Sequence, residues 1–341
     1  MRGIAPLSVL ALVACVPRFD ADPSRVDEER ILAVRAEPSE VLPGGTVTLT
    51  VLDADGRGTI PDASLSFGEC IARLPLSEPG PVARACLDAA DGAIGATATG
   101  ATATLTLSAD ACRLFGPDPP PAQPGEPSGR PVDPDPTGGY VQPVRIALED
   151  GRVTFAFVRL ACGVSGATRD QAAEVRRRYR ASAHPVLDTL VAVHEDGSFQ
   201  DVAAGVAVHV APSEALTLRA GWPLCPEVDA CGDGICGPDE ERSSCREDCA
   251  TPIGCRGAER YVRFDRGAGA VVVQRESIRV SWLATAGRYD ELRTGRAADD
   301  ATPSTENVWH APDTPGTATL WLVLRDDREG VSWAEVPIVI D

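Results

Sequence analysis

The chain has 341 residues, with 50 acidic against 32 basic side chains and a formal net charge of −18. Every basic residue other than four histidines is an arginine, so phosphate-binding loops, kinase chemistry and Schiff-base catalysis lack the lysine they require. The carboxylate excess argues against nucleic acid and anionic lipid surfaces as partners, and the length holds two ordinary domains or one elaborated one.

The chain opens MRGIAPLSVLALVAC: one basic residue, Arg2, then an apolar run. That is the pattern of a secretory signal peptide over residues 1–14, too short to cross a bilayer as a mature helix. Its last four residues, Leu12-Val13-Ala14-Cys15, resemble the lipobox of bacterial lipoproteins. The resemblance implies that Cys15 is lipidated, palmitate included, and becomes the new N-terminus. The acyl chains would hold the protein to the membrane at ~0.8 kcal/mol per buried methylene. Cleavage near Ala14 with Cys15 an incidental thiol is the alternative. Many such lipoproteins carry Asp after the cysteine as an inner-membrane signal; Val16 stands here, which favours the outer membrane. Residues 15–28, polar and Pro-containing, form the tether.

Beyond it the pattern is mainly β. Val47, Leu49 and Val51 alternate with threonines after the turn Pro43-Gly44-Gly45, the period of a half-buried strand. VRIALEDGRVTFAFVRLAC predicts a hairpin with a two-residue turn at Asp150-Gly151. Ile278, Val280 and Trp282 mark another strand, and Leu320, Leu322 and Leu324 lie on one face of a closing hairpin. RDQAAEVRRRYR, residues 169–180, is the one convincing helix; its Arg176, Arg177, Arg178 and Arg180 suit a solvated face, with an anionic ligand or a carboxylate-rich partner as the alternative. An echo links LAVRAEP, PGGTVTL and SLSFGEC to LDTLVAV, PSEALTL and GWPLC. These segments and the closing strands resemble immunoglobulin-like bacterial surface domains. The resemblance implies two β-sandwich units, 29–182 and 183–341, the second holding all five tryptophans and the larger core; a single sandwich with decorations is the alternative.

Two stretches interrupt the strands. Residues 116–139 carry nine prolines, cannot join a sheet, and suit a polyproline-II loop or linker more than a docking peptide. A Cys112–Cys162 bridge would pin its base. Residues 231–249, CGDGICGPDEERSSCREDC, resemble a short cysteine repeat found in exported bacterial proteins, with Cys225 and Cys255 flanking it symmetrically. Without Cys15, ten cysteines remain: Cys70, Cys86, Cys112, Cys162, Cys225, Cys231, Cys236, Cys245, Cys249 and Cys255. An even count in an exported chain predicts disulfides, while the spacings and the lack of a nearby histidine disfavour zinc. A Cys225–Cys255 clasp would isolate 225–255 as an appendage, with first-to-third and second-to-fourth pairing inside. Asp233, Asp239, Glu240, Glu241 and Asp248 could ligate calcium; solubilising the small module is the alternative. Asp53-Ala54-Asp55-Gly56 suits a turn.

No catalytic motif stands out. His209 and His310 sit in strand-like contexts, and Gly163-Val164-Ser165-Gly166-Ala167 departs from a nucleophile elbow by its final alanine. The chain therefore resembles bacterial envelope lipoproteins with immunoglobulin-like domains and a cysteine-repeat insert. The expectation is a non-catalytic scaffold, adhesion or binding protein with a protein or polysaccharide partner; the alternative is an envelope hydrolase with a site assembled from scattered residues.

Overall fold

The computed structural model describes residues 22–75, 77–115, 124, 137–250 and 254–341. The expected signal segment, Cys15 and most of the proline-rich stretch lie outside them.

The first sandwich is built from β1 (Arg30–Glu37), β2 (Glu40–Val41), β3 (Thr46–Asp55), β4 (Gly58–Thr59), β5 (Ser66–Cys70), β6 (Ile94–Thr99), β7 (Thr102–Thr106), β8 (Gly139–Ala147) and β9 (Val153–Ala161). One sheet joins β1, β3, β4 and β7; the other runs β2-β9-β8-β5-β6. Short helices α1 (Arg84–Leu87) and α2 (Ala111–Leu114) sit in its connections. Helix α3 (Arg169–Arg178) leads out of it, started by a reciprocal cap between Thr168 and Gln171.

The second sandwich comprises β10 (Thr189–Val193), β11 (Phe199–Asp201), β12 (Val208–Val210), β13 (Ala215–Gly221), β16 (Ile278–Ala284), β17 (Arg288–Tyr289), β18 (Arg293–Arg296), β19 (Ser304–His310), β20 (Gly316–Arg325) and β21 (Val331–Ile340). Its sheets run β11-β10-β13-β19-β17 and β12-β21-β20-β16-β18. The strand plan repeats the first: a strand pair (β1·β3, β10·β13) in one sheet, and a short strand that switches sheets to pair in parallel with the last strand (β2 with β9, β12 with β21). Both units are therefore immunoglobulin-like. Between β13 and β16 lie the cysteine-rich segment, the four-residue helix α4 (Arg246–Cys249) and a separate hairpin of β14 (Arg260–Asp265) and β15 (Ala270–Arg275).

The echo holds for its first two elements and fails at the third. LAVRAEP and LDTLVAV fall in β1 and β10, and the Thr-Leu runs in β3 and β13. SLSFGEC enters β5, but GWPLC leaves the sheet after Gly221; the counterpart of β5 is β16, beyond the insert. The Asp150 turn also differs. Leu148 N–H bonds Arg152 O at 2.9 Å, so three residues close the hairpin, with Gly151 at φ +89°. Asp53 and Asp55 belong to β3, and the turn falls at Gly56-Arg57.

Each unit has its own core. Val47, Leu49, Leu65, Phe67, Leu105, Val144, Ile146, Val158 and Leu160 fill the first. Leu216, Leu218, Ile278, Val280, Trp282, Trp309, Leu320, Leu322 and Leu324 fill the second. Each fully buried aliphatic side chain contributes ~1.5–3 kcal/mol. A third cluster joins the units: Val26, Leu32, Ala33, Leu52 and Ala54 against Trp321, Val323 and Val331. Two of the five tryptophans thus serve the junction: Trp321 lies inside it, its Nε1–H donating to Thr59 Oγ1 at 3.0 Å, and Trp333 packs against it beneath the Arg35 guanidinium. The C-terminal half of β3 is buried on both faces for the same reason, Leu52 and Ala54 facing the second unit. Residues 22–28 are docked rather than a free tether: Ser24 and Val26 are buried, and Val26 N–H and Ser24 O both bond Ala284 at 2.9 Å.

Candidate functional site

Five disulfides join the ten cysteines: Cys70–Cys86, Cys112–Cys162, Cys225–Cys255, Cys231–Cys245 and Cys236–Cys249. The first two belong to the first sandwich and the other three to the insert. Cys112–Cys162 joins α2 to the end of β9, across the base of the proline-rich stretch. A bonded cysteine has no thiolate to offer, so these sulfurs are not zinc ligands.

The insert is not an isolated appendage. The arginines that end α3 clamp its acidic loop. Arg178 reaches Asp239 Oδ1 at 2.6 Å and donates to Pro238 O at 3.0 Å. Arg180 donates to Cys236 Sγ at 2.9 Å and to Glu240 O. From the other side, Arg260 of β14 bridges Asp229 and Asp239, each at 3.0 Å. The carboxylate-rich partner of the helix is the chain's own insert. Nor do β13 and β14 pair with each other; β14 pairs with β15.

The five acidic residues divide. Glu240 and Asp248 are buried, and their carboxylates lie with the sulfurs of Cys231 and Cys245 within 4.8 Å of one another. Asp248 accepts from Gly232 N–H at 2.6 Å and Gly234 N–H at 3.1 Å, and Glu240 from Gly237 N–H at 3.0 Å. These bonds close the turns of a module with almost no apolar core. Asp233, Asp239 and Glu241 stand outside that group: Asp233 caps Ile235 N–H, Asp239 is taken by arginines, and Glu241 accepts from Ser243. Calcium prefers six to eight oxygens, and two convergent carboxylates supply a minority of them.

The histidines and Ser165 are each engaged. Buried His184 accepts from Val331 N–H at Nδ1 (3.0 Å), so Nε2 carries the proton donated to Ala36 O at 2.7 Å. His194 faces Glu214 at 2.6 Å, His209 faces Asp341 at 3.0 Å, and His310 faces Asp290 at 2.8 Å. Ser165 is buried and its hydroxyl accepts from Arg266.

Two buried ion networks flank the junction and have no sequence signature. Arg159, 2 % exposed, pairs with Glu40 at 2.9 Å, and Tyr179 O–H also donates to that carboxylate. Arg328, 1 % exposed, pairs with Glu276 at 2.7 Å and with Glu259, and stacks 4.6 Å over the Tyr261 ring. Removing one partner of such a pair leaves a buried charge and costs ~3–5 kcal/mol.

No protein-family model and no curated protein sequence matches the chain. Among solved structures it is similar to the adhesin InvE of Yersinia pseudotuberculosis at 8 % identity and TM-score 0.20, over 91 % of this chain and 58 % of that one. The fibronectin(III)-like modules of Clostridium thermocellum CbhA align at 12 % identity and TM-score 0.20, over 91 % and 94 %. The C-terminal domain of the Streptococcus pyogenes antigen I/II-family protein AspA aligns at 9 % and 0.22, over 92 % and 99 %. The chain spans under two thirds of the length of the InvE structure. Alignments this loose carry no argument about function, and the fold rests on the strand pairing above.

Proposed function

We propose that the chain is a non-catalytic, lipid-anchored protein of the bacterial cell envelope, acting as a binding or adhesion module. The observation that carries this reading is the disulfide framework: ten paired cysteines suit an oxidising, exported setting and not a reducing cytosol. The tandem sandwiches, locked together by the Trp321 cluster, suit presentation of loops and sheet faces to a protein or polysaccharide partner. The engagement of each histidine and of Ser165 in bonds within the fold supports a non-catalytic role.

Anchoring is tested by Cys15→Ala, which should release the protein from the membrane fraction and abolish labelling by a fatty-acid analogue. Unchanged membrane association would overturn it. For the exported setting, alkylation of unreduced protein followed by mass measurement should find none of the ten cysteines reactive; two or more reactive thiols would overturn that part.

A further inference from the structure

The outer face of the β16–β20 sheet changes character along its length. Leu283, Trp321 and Val323 lie under the first sandwich. At the other end the register places Arg279 opposite Arg325 and, through β18, Arg293 opposite Ser281. There the two units part and leave a cleft of about 1050 Å³. Its far wall is Pro23, Ser24, Arg30, Ile31 and Leu32, so four arginines face one space. Clefts of that order hold small ligands.

In a chain with 50 carboxylates for 32 arginines, charge pairing is easy, and Arg159, Arg178, Arg260 and Arg328 all find acids. The four arginines of the cleft make no ion pair among the described residues, although Asp27 and Asp22 attract Arg30 at longer range. Arg325 donates to Leu32 O at 2.8 Å and to Ser281 Oγ at 3.4 Å, and Arg30 to Pro23 O at 2.9 Å; the guanidinium groups of Arg279 and Arg293 have no hydrogen-bond partner among the described residues. Like charges directly opposite on neighbouring strands are destabilising. Burial, then repulsion by Arg293, holds the Arg325 guanidinium below its ordinary pKa. Four acids also line the cleft: Glu291, Asp326, Asp327 and Glu329. Asp326 Oδ1 is spent on Arg328 N–H and Gly330 N–H, Asp327 accepts from Ser277 N–H at 3.4 Å, and desolvation lifts the Asp326 carboxyl to about 7. Glu329 attracts Arg325 and acts against the burial and repulsion that lower its pKa.

We infer that this cleft is a binding site for a small ligand bearing an oxyanion group, a carboxylate, phosphate or sulfate, held by Arg279, Arg293 and Arg325 with Arg30 opposite. Guanidinium forks match such groups in pairs of parallel hydrogen bonds, and the serine hydroxyls can donate beside them. The inference stands apart from the anchoring and location proposed above.

The test is calorimetric titration of the intact protein with inorganic phosphate, sulfate and glucuronate, against chloride at matched ionic strength. At least one should bind and raise Tm where chloride does not; preference for glucuronate over the tetrahedral ions identifies a planar group, and the reverse a tetrahedral one. Arg279→Gln and Arg293→Gln, both at exposed positions, should each weaken binding tenfold or more. Because Arg279→Gln also removes a like-charge contact, its ligand-free Tm should equal or exceed that of the parent. Binding of none of the three, a chloride effect of equal size, or unchanged affinity in both variants would overturn the inference.

Discussion

In the first sandwich the space between the sheets is filled by valine, leucine, isoleucine and alanine, with Phe67 and Phe115 the buried aromatic rings, and two disulfides tie its connections. In the second, Trp222, Trp282, Trp309 and Tyr289 join the aliphatic core, and its six cysteines all lie in the insert. One strand plan is thus held in two ways. Small side chains bury less apolar area per position, and cross-links that restrict the unfolded chain offset part of the difference; large rings bury enough to do without them.

The strongest way to break this contrast is to attack each unit through its own support. Trp282→Ala, at 0 % exposure, should cost the second sandwich ~3–5 kcal/mol and lower its denaturant midpoint accordingly. A cost below ~1 kcal/mol would show that the rings are not what holds it. Replacing Cys70 and Cys86, or Cys112 and Cys162, by alanine should cost the first sandwich ~2–4 kcal/mol per bridge, with the second bridge, closing the longer loop, at the upper end. The same change at Cys231 and Cys245 should leave the midpoints of both sandwiches unmoved, because that bridge closes only within the insert. A comparable loss there would remove the distinction between the units.

The contrast also explains what was legible in the sequence. Period-2 runs such as Val47–Val51 and Ile278–Trp282 declare strands because one face is buried and the next residue is not. Cysteine parity is legible because pairing is a counting constraint. Junctions carry no period: Leu52 and Ala54 break the alternation of β3 because a second unit covers them, and 22–28 looks polar although Ser24 and Val26 are buried. The arginines of α3 and the acids of the insert were each visible, but their meeting depends on how the chain returns after β9. The four cleft arginines come from β1, β16, β18 and β20, so no local motif announces them.

A smaller effect sharpens the boundary between insert and body. Asp239→Asn weakens the clamp from Arg178 and Arg260 at a half-exposed carboxylate, so its cost should stay within ~1 kcal/mol and shrink in high salt. Hydrogen exchange should nevertheless quicken across 229–249 while the strands of both sandwiches keep their protection. Uniform exchange in the variant and the parent would mean that the disulfides alone order the insert.

The smallest effect at neutral pH lies in the junction and grows as the solution is acidified. His184 ties Ala36 of the first unit to Val331 of the second, and its Nδ1 must stay unprotonated to accept from Val331 N–H. Burial is the main cause that lowers its pKa, so the unfolded chain takes up this proton near its ordinary ~6.5 before the folded protein does. Stability from this group is full above that value and falls as pH drops through the window below it. Asp53, raised to about 6, and Asp326, raised to about 7, both by desolvation first, act with the opposite sign. The folded state keeps their protons after the unfolded chain has released them, so their contribution declines as pH rises from ~4 toward those values. Glu276, Glu69 and Asp327, also raised chiefly by burial, share the sign of these aspartates, so the parent's profile sets His184 against several buried carboxyls. His184→Gln should therefore leave urea midpoints that rise more on acidification from pH 7 to 5 than the parent's do, and Asp326→Asn should shift the slope the other way, with midpoints that rise less or fall more than the parent's over the same range. Parallel profiles for all three proteins would show that neither group titrates differently on folding, and the junction would then hold the two sandwiches together without regard to pH.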